Sequence, residues 1–155
     1  MKGDDKSFIV CQSPLENTIA DFWKMILNEK VHTIIMLCKL KDQDFVRNLL
    51  ISPSKLSLQV QCSEYFPEVK GAIFPAFEGV TLRAKAMNTA LGITERRFTV
   101  KVSETKTREV AHYQWDGWPD QGVPTRSQYK TLVHLLEKIA YRRSKGNQPI
   151  VVHCR

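Results

Sequence analysis

The sequence lacks any apolar run that approaches the roughly 20 residues needed to span a membrane. Residues 1–20 also lack the apolar core of a secretory signal peptide, and the chain has no repeats or low-complexity tracts. Its 155 residues are 43% apolar and 25% charged, which is ordinary globular composition. These features predict one globular domain in the cytoplasm, although the cytoplasmic part of a membrane receptor would share them.

Cysteines in metal-binding spacing are also absent. The four cysteines, Cys11, Cys38, Cys62 and Cys154, contain no CxxC pair, so the spacing predicts no zinc site, and nothing indicates a cofactor. An even number permits a disulfide framework, but such frameworks belong to small secreted domains with little core. We therefore expect reduced thiols, mostly buried in apolar stretches.

The charge is unbalanced but not clustered. The formal net charge is +7 and the pI is about 9.3, which favours anionic partners. A nucleic-acid interface needs basic residues grouped in a patch, and here they are scattered. We expect no nucleic-acid partner, and a basic binder of nucleic acid or membrane surfaces remains an alternative that rests on charge alone.

Hydrophobic periodicity predicts an α/β domain with a mixed sheet flanked by helices. Residues 18–28 and 125–141 have helical spacing, and Thr125 with Gln128 resembles a capping box. Residues 33–38 and 150–153 are unbroken apolar runs typical of strands buried on both faces.

The middle of the chain has weaker patterns. Alternation predicts strands at 80–85, 97–102 and 109–115, joined as an antiparallel meander, with a turn over 103–108. A short helix is predicted at 45–51.

Two segments contain residue types suited to catalysis. Asp120 lies in a loop between Trp118-Pro119 and Gly122, and Cys154 follows His153 at the end of a strand. Alone, the first is an ordinary turn and the second an ordinary core cysteine. Together they supply a nucleophile where a strand ends and an acid on a loop, as phosphate chemistry on cysteine requires.

The order of these and other motifs resembles the classical protein tyrosine phosphatase domain. The matching segments are Phe8-Ile9-Val10-Cys11-Gln12-Ser13-Pro14-Leu15-Glu16-Asn17-Thr18, Asp21-Phe22-Trp23, Ile34–Leu37, Gln61-Cys62-Ser63-Glu64-Tyr65-Phe66-Pro67, Arg108-Glu109-Val110, Trp118-Pro119-Asp120 and Val151-Val152-His153-Cys154. Asp21-Phe22-Trp23 is interpreted as core, in agreement with its helical spacing.

The resemblance implies a role for each matched site residue. Cys154 would be the nucleophile that forms a phosphocysteine intermediate, and His153 would help to favour its thiolate form. Asp120 would act as general acid and then general base, on a loop supported by Trp118, Pro119 and Gly122. The substrate would be a phosphotyrosine-containing protein.

The chain departs from the family pattern in four ways. Ser13 replaces a glycine, which would cost about 1 kcal/mol or more if its φ were positive. Residues 41–60 form a longer segment than expected, with no assigned role. The phosphotyrosine-recognition loop would precede residue 1, and the signature continues in the family to an arginine that Arg155 does not match. We therefore expect a domain incomplete at both ends, inactive by itself and marginally folded, and an inactive binding module is the alternative.

Overall fold

The computed structural model describes residues 8–40, 62–119, 122–144 and 146–154. The helix predicted at 45–51 lies outside them. A 3-10 turn at Glu16–Thr18 precedes the first helix. The elements, in chain order, are β1 Phe8–Cys11, α1 Ile19–Asn28, β2 Thr33–Met36, β3 Ile73–Phe77, β4 Val80–Ala90, β5 Ile93–Lys101, β6 Thr107–Trp115, α2 Tyr129–Arg143 and β7 Ile150–His153.

Seven strands form one mixed sheet in the order β1-β7-β2-β6-β5-β4-β3. β1, β7, β2 and β6 run parallel to one another, whereas β6, β5, β4 and β3 pair antiparallel. The predicted mixed α/β sheet flanked by helices is therefore confirmed. β2 is buried at every position, as its unbroken apolar run predicts.

Each face of the sheet supports a separate core because neighbouring strand residues point to opposite faces. On one face, Ile34 and Val151 pack with Phe22, Trp23 and the rest of the buried side of α1. On the other face, Leu135 of α2 packs against the second core. Its sheet members are Ile35, Ile93, Ala111, Tyr113, Trp115 and Ile150.

Helix α1 begins and ends close to its predicted bounds. Its Phe22, Trp23 and Ile26 are buried, as the helical spacing predicts. Beyond its last turn, Lys30 has a positive φ of 55°. Arg108 of β6 donates a hydrogen bond of 2.6 Å to the Leu27 carbonyl and so adds a side-chain partner to an acceptor in the last turn of the helix.

Helix α2 begins four residues after the predicted capping residue Thr125. The Gln128 Oε1 atom accepts a 2.7 Å hydrogen bond from the Thr125 backbone N–H, as in half of a capping box, but residues 126–128 form a turn. Leu132, Leu135 and Ile139 face the sheet, whereas Leu136 of the predicted apolar face is 54% exposed and Ala140 is also exposed. The predicted apolar face of α2 therefore contains more residues than the part of the helix that contacts the sheet.

The predicted meander is present, with longer strands than the alternation indicates. β4 and β5 extend to a two-residue turn at Leu91-Gly92, where both residues have positive φ. Residues 102–106 connect β5 to β6 and overlap the turn predicted at 103–108, whose last two residues belong to β6. No helix among the described residues is long and apolar enough to cross a membrane.

Candidate active site

Of the residues singled out for chemistry, His153, Cys154, Trp118 and Pro119 lie at one edge of the sheet. Because β7, β2 and β6 are parallel, their carboxyl ends meet at the same edge. Cys154 directly follows β7, Cys38 closely follows β2, and Trp118-Pro119 closely follow β6. In open α/β sheets this edge is where ligands bind.

Cys154 is half-buried and held by contacts with the residues after β2. Its thiol donates a 3.5 Å hydrogen bond to the Leu37 carbonyl. Its own carbonyl accepts a hydrogen bond from the Cys38 thiol, with an S···O distance of 3.2 Å. The Leu37 N–H donates to the His153 carbonyl at 2.9 Å and extends the strand pairing to the last residue of β7.

His153 is buried and hydrogen-bonded through both ring nitrogens. Its Nδ1 lies 3.1 Å from the Cys154 carbonyl oxygen, which can only accept, so Nδ1 carries the proton. Its Nε2 therefore accepts a 2.6 Å hydrogen bond from the Tyr65 hydroxyl. The Tyr65 oxygen in turn accepts from His112 Nε2 at 2.8 Å. A directional chain thus runs from His112 through Tyr65 and His153 to the backbone of Cys154.

The two histidines of this hydrogen-bond chain, His112 and His153, are neutral at physiological pH. Burial lowers the pKa of His153 to about 4, although its backbone hydrogen bond with Cys154 opposes this shift. Burial, with smaller contributions from Arg96 and His153, holds the pKa of His112 well below its usual range. His153 therefore acts on Cys154 through hydrogen bonding and not through a positive charge.

The segment after β6 is fixed from both sides, whereas Asp120 itself lies outside the described residues. The Trp118 ring makes an edge-to-face contact with Trp115 at a centroid distance of 6.0 Å. The Gln128 side-chain amide donates a 2.6 Å hydrogen bond to the Gly117 carbonyl. Pro119 is half-buried and Gly122 is exposed.

Ser13 carries none of the backbone strain that a positive φ would cause. Among the described residues, the non-glycine positions with positive φ are Lys30 and Leu91. Ser13 is buried, and its side chain hydrogen-bonds to Cys62. The departure from glycine therefore provides a polar partner for a buried thiol.

Sequence reasoning missed the side chains that support the site from a distance. It assigned no role to His112, and it used Tyr65, Cys38 and Cys62 only as part of a motif or as core. Their contacts join residues that are 88 and 116 positions apart, which spacing along the chain does not reveal.

A cavity of about 320 Å³ lies at the opposite edge of the sheet from Cys154. It is lined by Thr33 and Ile150, the first residues of β2 and β7, and by Arg97, Arg142 and other side chains. Two of its arginines, Arg97 and Arg142, already pair with Glu95. The candidate active site is therefore separate from this cavity.

Fold and site together define an α/β domain that presents a cysteine thiol at the carboxyl edge of its parallel strands. The protein-tyrosine phosphatase family model matches residues 1–155. The chain therefore belongs to the protein-tyrosine phosphatase family.

Individual relatives agree with this assignment. Human receptor-type tyrosine-protein phosphatase R is 31% identical over 154 residues, which cover 98% of this chain and 20% of that protein. Human tyrosine-protein phosphatase non-receptor type 5 is 29% identical over 155 residues, which cover 98% of this chain and 24% of that protein. Tyrosine-protein phosphatase 1 of Dictyostelium discoideum is 29% identical over 96% of this chain and 28% of its own length.

A solved structure of PTPN18 in complex with HER2-pY1248 phosphopeptides has the same fold. Its TM-score is 0.77 at 21% identity, over 96% of this chain and 48% of that one. The chain thus spans about half the length of that structure and about a quarter or less of most curated relatives.

Proposed function

We propose that this chain carries the nucleophile and the acid of an enzyme that hydrolyses phosphotyrosine in proteins. The observation that carries the proposal is the position of Cys154, directly after β7 and hydrogen-bonded to the residues after β2. Family membership and the complex of PTPN18 with phosphopeptides support phosphotyrosine as the substrate class.

The proposed reaction has two steps. The Cys154 thiolate attacks phosphorus and forms a P–S bond while the P–O bond to the tyrosine breaks, and Asp120 gives its proton to the leaving oxygen. Water then attacks the phosphocysteine, and the Asp120 carboxylate accepts a proton from that water. Phosphate leaves, and the thiolate is restored.

His153 has a positioning role in this proposal. Because the imidazole is neutral, it cannot stabilise the thiolate by charge, but its Nδ1–H fixes the Cys154 carbonyl. That bond sets the direction of the backbone as it leaves β7, where a phosphate-binding loop has to begin. Trp118 anchors the start of the acid loop against Trp115. In this proposal Pro119 stiffens the loop, and Gly122 permits its movement.

We also propose that residues 1–155 alone do not catalyse. The described hydrogen-bond acceptor of the Cys154 thiol is a carbonyl oxygen, which would repel a thiolate instead of stabilising it. Electrostatic stabilisation of the transition state is usually the largest contribution to such catalysis, and donors aimed at the phosphoryl oxygens have to supply it.

The test compares two proteins in hydrolysis of para-nitrophenyl phosphate and of a phosphotyrosine peptide. One is the 155-residue chain, and the other is the same chain joined to the remaining C-terminal part of the catalytic domain of tyrosine-protein phosphatase non-receptor type 5. We expect activity in the chimera only, abolished by Cys154→Ser and strongly reduced by Asp120→Asn, with a larger loss on poorer leaving groups.

Two results would contradict the proposal. Activity of the short chain that depends on Cys154 would show that further phosphate-binding donors are unnecessary. A chimera that folds and binds the phosphopeptide without hydrolysing it would instead support the inactive binding module.

A further inference from the structure

Two thiols and one imidazole from three separate segments of the chain meet in the buried core beneath Cys154. The ligand-capable atoms of Cys38, Cys62 and His153 all lie within 4.8 Å of one another. Cys38 follows β2, His153 ends β7, and Cys62 precedes β3. Each residue is at most 2% exposed, so the group is closed to bulk solvent.

The chemistry of this group matches the preferences of a thiophilic metal ion. Thiolate sulfur and neutral imidazole nitrogen are the usual ligands of Zn²⁺, and Cys₂His is a known ligand set for it. Two thiolates also balance the charge of a divalent ion, so the complex can be buried without leaving a net charge.

We propose that Cys38, Cys62 and His153 form a binding site for Zn²⁺ behind the candidate nucleophile. Bonds of about 2.3 Å to sulfur and 2.0–2.1 Å to nitrogen place ligand atoms about 3.5–3.8 Å apart. Because the three atoms already lie within 4.8 Å of one another, the side chains need to close by at most about 1.3 Å. Binding releases two thiol protons to the buffer for each ion bound. The fourth position of a tetrahedral ion is left for water.

An ion at this position changes the hydrogen bonds that hold the backbone at Cys154. His153 now bonds to Tyr65 through one ring nitrogen and to the Cys154 carbonyl through the other. Whichever nitrogen binds the ion gives up its present partner. Occupancy therefore alters the hydrogen-bond chain that orients the backbone at Cys154.

The first test is binding of Cd²⁺ and Zn²⁺ to the reduced, chelator-free 155-residue chain. We expect one Cd²⁺ per chain, with the ultraviolet absorption of cadmium–thiolate bonds and two protons released. Zn²⁺ should displace the bound Cd²⁺. Cys38→Ser and Cys62→Ser should each weaken binding by more than about 100-fold, which is the upper figure for loss of a mere outer-shell partner.

Two matched variants separate this site from other thiols. Cys11→Ser removes a half-buried thiol outside the group, and Cys154→Ser removes the proposed nucleophile, which also lies next to His153. Both variants should keep full binding. If Cys154→Ser abolishes binding, or if Cys38→Ser and Cys62→Ser leave it unchanged, the proposed site is wrong.

Cadmium NMR of the unmutated chain keeps the test valid if a serine variant fails to fold. The cadmium chemical shift should indicate two sulfur ligands and one nitrogen ligand, with coupling to the His153 ring. A shift typical of oxygen ligands, or of one sulfur, would overturn the proposal. None of these measurements depends on phosphatase activity.

Discussion

Tyr65 connects two neutral histidines and is the residue on which the site's hydrogen-bond chain depends. It is fully buried, and its hydroxyl accepts from His112 and donates to His153. Its backbone carbonyl accepts a 2.8 Å hydrogen bond from the Trp23 indole, so α1 fixes its position. One side chain thus links the core under α1 to the backbone at Cys154.

Tyr65→Phe should destabilise the fold by about 3 kcal/mol, because it leaves the Nε2 atoms of His112 and His153 buried without a partner. Urea denaturation followed by circular dichroism would measure this loss. Nitrogen NMR of the His153 ring should show the proton on Nδ1 in the parent chain and a mixture of tautomers in the variant.

The matched control is Tyr129→Phe, which removes the hydroxyl of a half-exposed tyrosine at the start of α2. Its free energy of unfolding should stay within about 0.5 kcal/mol of the parent. An equally small change for Tyr65→Phe would mean that the hydrogen-bond chain contributes little to the fold.

The sequence predicts individual residues of the site better than their interactions. His153 and Cys154 follow from a strand that ends in a reactive side chain, which is local information. The neutrality of His153 results from burial by α1 and Tyr65, which are far away in the chain. The proximity of Cys38, Cys62 and His153, on which the proposed metal site rests, depends on the same long-range packing.

At the scale of elements, α1 ends in a Schellman motif with an unfavourable residue. The Lys30 N–H bonds to the Leu27 carbonyl at 3.3 Å, and the Val31 N–H bonds to the Ile26 carbonyl at 2.9 Å. Buried Val31 and Ile26 belong to one core, as this motif favours. Lys30 occupies the left-handed position that glycine prefers.

Lys30→Gly should relieve about 1–2 kcal/mol of backbone strain. Glycine also increases the entropy of the unfolded chain, which offsets part of this gain, so the net stabilisation should be about 0.5–1 kcal/mol. Urea denaturation would measure the gain. Lys30→Ala is the control, because it removes the charge and keeps the strain. A gain of the same size with alanine would attribute the effect to charge.

The segment that leads to the acid loop leaves no space for a side chain at Gly117. An added Cβ would overlap the Trp115 indole, with the Cε2 atom only 2.7 Å away. Trp115 is 2% exposed and packed in the core under α2, so it cannot move aside. Gly117→Ala should cost about 1–3 kcal/mol of stability by overpacking.

Trp115→Phe provides the matched test because it removes the indole atoms that the new methyl group would overlap. The double variant should lose less stability than the sum of the two single variants, as a double-mutant cycle in urea would show. Strict additivity would mean that Gly117 is required for its backbone conformation and not for the space it leaves.

The elements with strong periodicity could be predicted, and those that depend on pairing could not. α1, β2 and β7 match their patterns because burial on one face or on both leaves a clear signal. β1 was recognised only as a motif, and β3 was missed. Both are edge strands with mixed exposure, and each forms by pairing with a neighbour in the sheet.

At the scale of the whole molecule, the buried histidines make stability dependent on pH. The pKa of His153 is about 4 in the folded chain and about 6.5 when unfolded, and burial also holds the pKa of His112 well below its usual range. Between these values the unfolded chain binds more protons than the folded chain. The stabilisation is therefore present above pH 6.5 and is lost as pH falls towards 4.

The free energy of unfolding should fall by about 3 kcal/mol from His153 alone over this range, with a further loss from His112. Urea denaturation at successive pH values between about 7 and 4 would measure the slope. His153→Asn should flatten it, although this variant is less stable overall. If His153→Asn keeps the parent's slope, the acid sensitivity arises from other groups, and His153 is not held neutral by its burial.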